Sequence, residues 1–233
     1  MSFPSDRFGR RRAVATLVGA AIGAGSWRAL AKAPAGIDPE KGVTAPEDLM
    51  KEHGVLNRCL LVYEEGIRRI VAGQEVGAEV FRSAADVVKR FVEDYHEKNE
   101  ETHIFPVFQK AGREVALVST LLEQHHAGRR VTARILELAK PDQLRARAGR
   151  DALVAACRSF IRMYRPHEAR EDTVLFPALR EILTPAQVLE LGDRMEGNEE
   201  KALGAKGYEK MRDTVADLEK SLGIFELAQF TPR

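Results

Sequence analysis

The sequence predicts an all-α protein: an antiparallel up-and-down four-helix bundle with additional helices at its C-terminal end. Leu, Ala, Glu, Arg and Lys dominate its 233 residues, and prolines fall mostly between periodic segments. No alternation of apolar and polar residues is long enough to indicate a strand. The third observation is a sequence motif that occurs twice in the chain, which suits two helices of one bundle that present the same face to a common centre.

The two copies of this motif are HEKNEETHIFP at residues 96–106 and HEAREDTVLFP at residues 167–177. In each copy a histidine and a glutamate stand four residues apart, which places both on one face of a helix, about 40° apart around its axis. The pairs are His96 with Glu100 and His167 with Glu171. An imidazole and a carboxylate that project inward from each of two helices are typical of carboxylate-bridged dinuclear metal sites.

Residues 1–33 are typical of a bacterial export signal. Three arginines at residues 10–12 precede a weakly apolar run, residues 13–25, and small residues at 29–33 fit a cleavage site. The adjacent arginines resemble the twin-arginine signal, although Ala-Val follows them where Phe-Leu is usual. We therefore expect an exported, periplasmic protein that uses the export machinery. The alternatives are a cytoplasmic protein with a disordered basic tail, or a membrane anchor, for which the run falls short of roughly 20 apolar residues.

A Pro/Gly-rich linker at residues 34–46 leads into the predicted bundle at residues 47–182. Apolar residues recur there at spacings of three and four, which is the stripe of a bundle helix. The stripes predict four helices, at about residues 47–73, 77–109, 114–139 and 150–179. Residues 183–233 form a C-terminal extension, in which Thr184-Pro185 has the signature of a helix start. We expect this extension to serve packing or to form a partner surface.

Six polar residues interrupt the apolar stripes, with one histidine on each predicted helix: His53, His96, Glu100, His125, His167 and Glu171. Burying such groups without partners would cost several kcal/mol each, and a cation would supply the compensation. Two octahedral ions that share two bridging carboxylates suit this set. Nitrogen and oxygen ligands without a thiolate favour iron, before manganese, over a structural zinc site; zinc stays open because the geometry is not visible in the sequence.

Residues 47–180 resemble the hemerythrin-like, or HHE cation-binding, family. The resemblance is carried by four pieces that occur in order: EHGVL around His53, the first copy of the repeat, EQHHAGR around His125, and the second copy. It implies an antiparallel four-helix bundle that holds a non-haem di-iron centre. It also implies that Glu100 and Glu171 bridge the two irons.

The sequence departs from the oxygen-carrying members on the predicted third helix. Their pattern has two histidines four residues apart, but here His125 and His126 are each followed at that spacing by an arginine. His103, almost in line with His96, could supply a replacement ligand; a place behind the ligands or in an exit channel is the equal alternative. We expect His126 at the surface or behind a ligand.

A second departure lies on the predicted fourth helix, where the oxygen carriers place an aspartate five residues after the histidine. Asp172 holds that position, but Glu171 is closer to His167 in angle, about 40° against 140° on an ideal helix. Glu171 is therefore the preferred ligand. Pro166 predicts a kink or a local bulge beside His167, which could reverse this choice.

The sequence also allows predictions for two further pairs of residues. Glu97 and Glu168 each follow a repeated histidine at about 100° from the ligand line, so we expect solvated charges; the alternatives are acceptors behind the ligands or extra ligands. Cys59 and Cys157 are expected to be small buried residues. A disulfide between them stays open, because antiparallel helices would bring them to similar heights.

The charge balance argues against nucleic acid as a partner. Residues 1–33 hold six Lys or Arg and one Asp, which leaves 30 basic and 34 acidic residues, a charge of −4, for the rest of the chain. The function expected is a di-iron protein of the cell envelope that binds or senses a small diatomic ligand, dioxygen or nitric oxide. The alternatives are a di-iron enzyme, acting as a peroxidase, an oxidase or in iron-centre repair, and passive metal binding or storage.

Overall fold

The computed structural model describes residues 43–232, and helices joined by turns make up this part of the chain. The main helices are α1 (Ala45–Val71), α2 (78–111), α3 (Val115–Leu138), α4 (147–182), α5 (Pro185–Leu203) and α6 (Gly207–Ser221). Two short helices, Pro141–Arg145 and Leu227–Phe230, lie before α4 and after α6. Residues 43–232 contain no strand, so the all-α prediction is confirmed. None of the helices in this range is both long and apolar enough to cross a bilayer. The expected export signal lies outside the described residues.

The first four helices form an up-and-down ring. Helix α1 packs against α2 and α4, and α3 packs against the same two helices from the opposite corner. The C-terminal helices lie against α1 and α2, where Arg58 of α1 pairs with Glu219 of α6 at 2.6 Å and Asn198 of α5 donates to Asn99 of α2 at 2.9 Å. The predicted bundle with additional C-terminal helices is confirmed, and the extension is a packing layer.

Local sequence explains where the helices begin and end. The backbone amide of Thr44 donates to the carboxylate of Glu47 at 3.0 Å at the start of α1. Thr184 and Gln187 exchange hydrogen bonds in the same way at the start of α5. These are capping boxes, which satisfy amides that the first helical turn leaves free. Gly112 ends α2 with a φ of 64°, a left-handed conformation that glycine adopts without strain.

The interior consists of two apolar clusters, one on each side of a polar middle layer. The larger cluster includes Leu60, Tyr63, Phe81, Phe91 and Phe160. The smaller one includes Leu49, Phe105, Phe108, Leu121 and Phe176. The histidines that interrupt the four stripes lie between them, so apolar side chains close the middle layer at both ends.

Wide π-helical turns interrupt α2 and α4 at corresponding places. They span Glu100–Ile104 and Glu171–Leu175, and in each the next amide donates to a carbonyl five residues back. Each turn is followed by Phe-Pro, with the prolines at 106 and 177. Proline lacks the amide hydrogen and its ring collides with the carbonyl four residues earlier, so the wider turn relieves this conflict.

The bulge predicted at Pro166 is therefore misplaced. The backbone stays α-helical through Pro166, and the widened turn begins at Glu171. Helix α2 has the same turn without any proline beside His96, so this turn does not depend on Pro166. Helix α2 also contains an earlier π-helical segment, Val88–His96, which no Phe-Pro follows.

The two cysteines are buried and free, as small apolar residues would be, and no disulfide joins them. Burial raises the pKa of both Cys59 and Cys157 to about 12, so neither is a thiolate at neutral pH.

Candidate metal centre

The six residues that interrupt the stripes meet in the middle layer as two triads. Helices α1 and α2 contribute His53, His96 and Glu100, which we call the first triad. Helices α3 and α4 contribute the second triad, His125, His167 and Glu171. Within each triad the candidate ligand atoms lie within 4.8 Å of one another, and no member is more than 4% exposed.

The two glutamates connect the triads. One oxygen of Glu100 lies 3.6 Å from Nε2 of His96 and 3.5 Å from Nε2 of His125. The oxygens of Glu171 lie 3.4 Å from Nε2 of His53 and 3.2 Å from Nε2 of His167. Neighbouring ligand atoms around one octahedral ion are about 3 Å apart when each is about 2.1 Å from it, so these separations suit a shared pair of ions.

The second ring nitrogen of every triad histidine has a partner of its own. The Nδ1 contacts are His53 with Asp172 at 2.8 Å, His96 with Glu52 at 2.7 Å, His125 with Glu101 at 3.2 Å, and His167 with Gln124 at 2.9 Å. The three carboxylates, and Gln124 through its amide oxygen, accept from Nδ1. This arrangement leaves the lone pair of each Nε2 directed at the centre, as in metal sites whose histidines are held from behind.

With the proton on Nδ1, the atoms that face each other at the centre are all acceptors. Both oxygens of Glu100, both oxygens of Glu171 and Nε2 of His125 are buried without a hydrogen-bond partner. Lone pairs that face one another in an apolar interior are unfavourable unless a cation lies among them. The residues present therefore fit metal ions.

The pKa values follow from the same geometry. Burial lowers the pKa of His96 to about 3 and that of His125 to about 4, so both stay neutral, the form that binds metals. Burial opposes protonation of His53, but Asp172 and Glu171 raise its pKa. Burial, together with the charge of Glu171, raises the pKa of Glu100. Burial also acts to raise the pKa of Glu171, yet His167 and His53 lower it.

The three secondary candidates lie outside both triads. Nε2 of His103 is 3.2 Å from the side-chain amide of Asn198 at the contact with α5. His126 is exposed. Asp172 holds His53 from behind, while the neighbouring Glu171 reaches the centre.

The expectation of solvated charges at Glu97 and Glu168 is wrong, because the two are only 1% and 4% exposed. Glu97 accepts from the hydroxyl of Tyr164 and pairs with Arg129 at 2.7 Å. Glu168 accepts from the amide of Asn57. In a closed ring of helices, a side chain about 100° from the ligand line faces the next helix rather than solvent.

Sequence reasoning did not identify Glu52, Glu101 and Gln124 as partners of the histidines. A pattern that could have found them is adjacency, because each acceptor stands directly beside a triad residue in the sequence. The pairs are Glu52-His53, Glu100-Glu101, Gln124-His125 and Glu171-Asp172.

The buried carboxylates predict how stability depends on pH without metal. Glu100 has a raised pKa, and burial also raises that of Glu52 and Glu97 to about 8. Folding retains protons that the unfolded chain releases above its ordinary carboxyl pKa, so stability falls as pH rises from about 5 to 8. The Glu100→Gln variant should lose less stability than the wild type over this range, because it lacks one of these raised carboxyl groups.

Urea unfolding at several pH values in the presence of a chelator measures this difference. The exposed Glu196 gives the matched control, because Glu196→Gln should follow the wild-type curve. Parallel curves for wild type and Glu100→Gln would contradict the prediction.

Comparison with known proteins agrees with this geometry. A family model described as the hemerythrin HHE cation-binding domain matches residues 44–179. Uncharacterised proteins of Mycobacterium tuberculosis and Mycobacterium bovis are 44% identical over 195 residues, which is 84% of this chain and 76% of theirs. No solved structure matches. The chain therefore belongs to the hemerythrin family of HHE cation-binding proteins.

Proposed function

We propose that the protein holds two iron ions between its four helices, with the two triads as ligands and Glu100 and Glu171 as bridges. One observation carries this proposal: each of the two carboxylates reaches imidazole nitrogens of both triads and has no hydrogen-bond partner. Imidazole and carboxylate donors without a thiolate favour iron, with manganese as the next choice and zinc after it.

We further propose that a small diatomic ligand, dioxygen or nitric oxide, is bound or sensed there. Two imidazoles and one oxygen from each bridge make four protein donors per ion, and an octahedral ion has six positions. Bound iron would supply reversible ligand binding or electron transfer at the remaining positions. The ring of Phe105 stacks on His125 at 5.4 Å and that of Phe176 on His53 at 5.8 Å, so the surroundings favour a small uncharged ligand.

A second candidate is a di-iron enzyme that reduces peroxide, acts as an oxidase or repairs iron centres. The observation that favours it is Tyr164, whose hydroxyl is bonded to Glu97 and whose ring lies 5.4 Å from that of His167. A phenol and a carboxylic acid beside the centre could deliver protons to a bound substrate. Passive metal storage is the remaining alternative.

Metal analysis tests the ligand assignment. Purified protein should contain about two irons per chain, and Glu100→Ala or Glu171→Ala should remove most of the iron because each takes a ligand from both ions. Asp172→Ala is the comparison, since it changes the next residue and removes only the acceptor behind His53. It should retain about two irons per chain on purification, although the first triad should hold its iron less tightly. Iron retained in Glu171→Ala, or a single zinc in wild type, would contradict the assignment.

Reactivity separates the candidate functions. The reduced protein should develop a charge-transfer absorption band on exposure to dioxygen or nitric oxide, and the band should disappear when the gas is removed. Multiple turnovers with peroxide and a reductant would instead establish the enzyme. Absence of both, with iron bound, would leave storage as the function.

The cell envelope is the proposed location, on the basis of the three arginines and the weakly apolar run in residues 1–33. Cleavage should leave a mature chain that begins near residues 32–34, which N-terminal sequencing of the exported protein measures. Replacing Arg11 and Arg12 by lysine should stop export, whereas Arg28→Lys should not. Full export of the double variant would contradict a twin-arginine signal.

A further inference from the structure

The contacts around the centre follow a two-fold correspondence between α1–α2 and α3–α4. Glu52 stands one residue before His53 and accepts from His96, while Gln124 stands one residue before His125 and accepts from His167. A second correspondence lies one turn later on the same helices. Asn57, four residues after His53, bonds Glu168, and Arg129, four residues after His125, pairs with Glu97.

At both places the corresponding residues differ in charge. Where the first triad has the acid Glu52, the second has the neutral Gln124. Where α1 has the neutral Asn57, α3 has the cation Arg129. The first difference bears directly on the triads, because it gives His96 of the first triad an acidic acceptor and His167 of the second triad a neutral one.

Neither acid that holds a histidine of the first triad is paired with a cation. Among the described residues, no lysine or arginine lies within ion-pair distance of Glu52 or Asp172, the acceptors of His96 and His53. Two more acids reinforce the effect, because Asp48 and Glu199 have carboxylate oxygens within 4.8 Å of an oxygen of Glu52. Lys51 pairs with Asp48 alone in this group, at 2.8 Å.

The acceptors of the second triad, in contrast, are balanced in charge. The oxygen of Glu101 that accepts from His125 also receives Arg129 at 2.6 Å, and its other oxygen receives Lys98 at 2.7 Å. The contact between His125 and Glu101, at 3.2 Å, is the longest of the four Nδ1 contacts. The acceptor of His167 carries no charge at all, because it is an amide.

We infer that the two metal positions are unequal, and that the first triad binds a divalent cation more tightly and fills first. A carboxyl acceptor strengthens an imidazole as a donor more than an amide does, and as a carboxylate it offsets part of the metal charge. Changing such a partner alters metal affinity about 10–100-fold. This inference rests on the proposed dinuclear site and adds to it the order of loading and the residues that set it.

Calorimetric titration of the full metal-free chain with Co²⁺ tests the inference. Wild type should show two classes of site. The Glu52→Gln variant should lower the Co²⁺ affinity of the tighter class about 10–100-fold and leave that of the weaker class unchanged. The Gln124→Glu variant should raise the Co²⁺ affinity of the weaker class by a similar factor. The double variant that carries both substitutions should reduce or reverse the difference in affinity between the two classes. Glu196→Gln, which removes an exposed carboxylate, is the control and should change neither class.

Single-triad variants assign the two classes. His53→Ala should abolish the tighter class, and His167→Ala should abolish the weaker one. Asp172→Asn provides a second route if Glu52→Gln does not fold, since it removes the other uncompensated acceptor and should also weaken the tighter class. Two equal sites in wild type, or loss of the tighter class in His167→Ala, would overturn the inference while leaving the dinuclear site intact. Fewer than two Co²⁺ ions per wild-type chain would instead overturn the proposed function.

Discussion

Two glutamate carboxylates lie in the middle of an apolar bundle without hydrogen-bond partners, and the rest of the structure is organised around this constraint. Removing such groups from water costs several kcal/mol each unless another charge compensates them. The four imidazoles at the centre are held at Nδ1 by other partners, so their Nε2 atoms face these oxygens. The interior is therefore complete only with cations, and the apolar clusters above and below keep water from replacing them.

A ring of four helices extends this constraint to the next layer of residues. One residue beyond a ligand along the helix means a rotation of about 100°, which turns the side chain towards the neighbouring helix. Glu52 thus reaches His96 on α2, and Glu101 reaches His125 on α3. Each helix supplies a ligand to the centre and an acceptor to its neighbour. The orientation of every imidazole consequently depends on the correct packing of two helices.

Periodicity in the sequence was sufficient to predict the four bundle helices and the six residues that meet at the centre. Both are properties of single helices, because a stripe and its polar interruptions can be read without knowing the neighbours. The surroundings of Glu97 and Glu168 could not be read in this way, since burial at 100° from the stripe depends on which helix stands beside them. The positions of the wide turns were not predicted for another reason. A proline inside a helix predicts a distortion at that proline, but the α-helix accommodates Pro166, and the turn in α4 lies next to Phe176-Pro177 instead.

The repeated motif does more than supply two ligands, because each copy also contacts a histidine on another helix. In the first copy Glu100 faces Nε2 of His125, Glu101 accepts from its Nδ1, and Phe105 stacks on its ring. The second copy makes the same three contacts with His53, through the residues at the corresponding positions: Glu171, Asp172 and Phe176. Each copy therefore holds, on three sides, the histidine of a helix that carries no repeat. Such a histidine has no carboxylate of its own helix to orient it, so its position depends on the opposite pair of helices, and the two halves of the bundle form one centre only when both copies are in place.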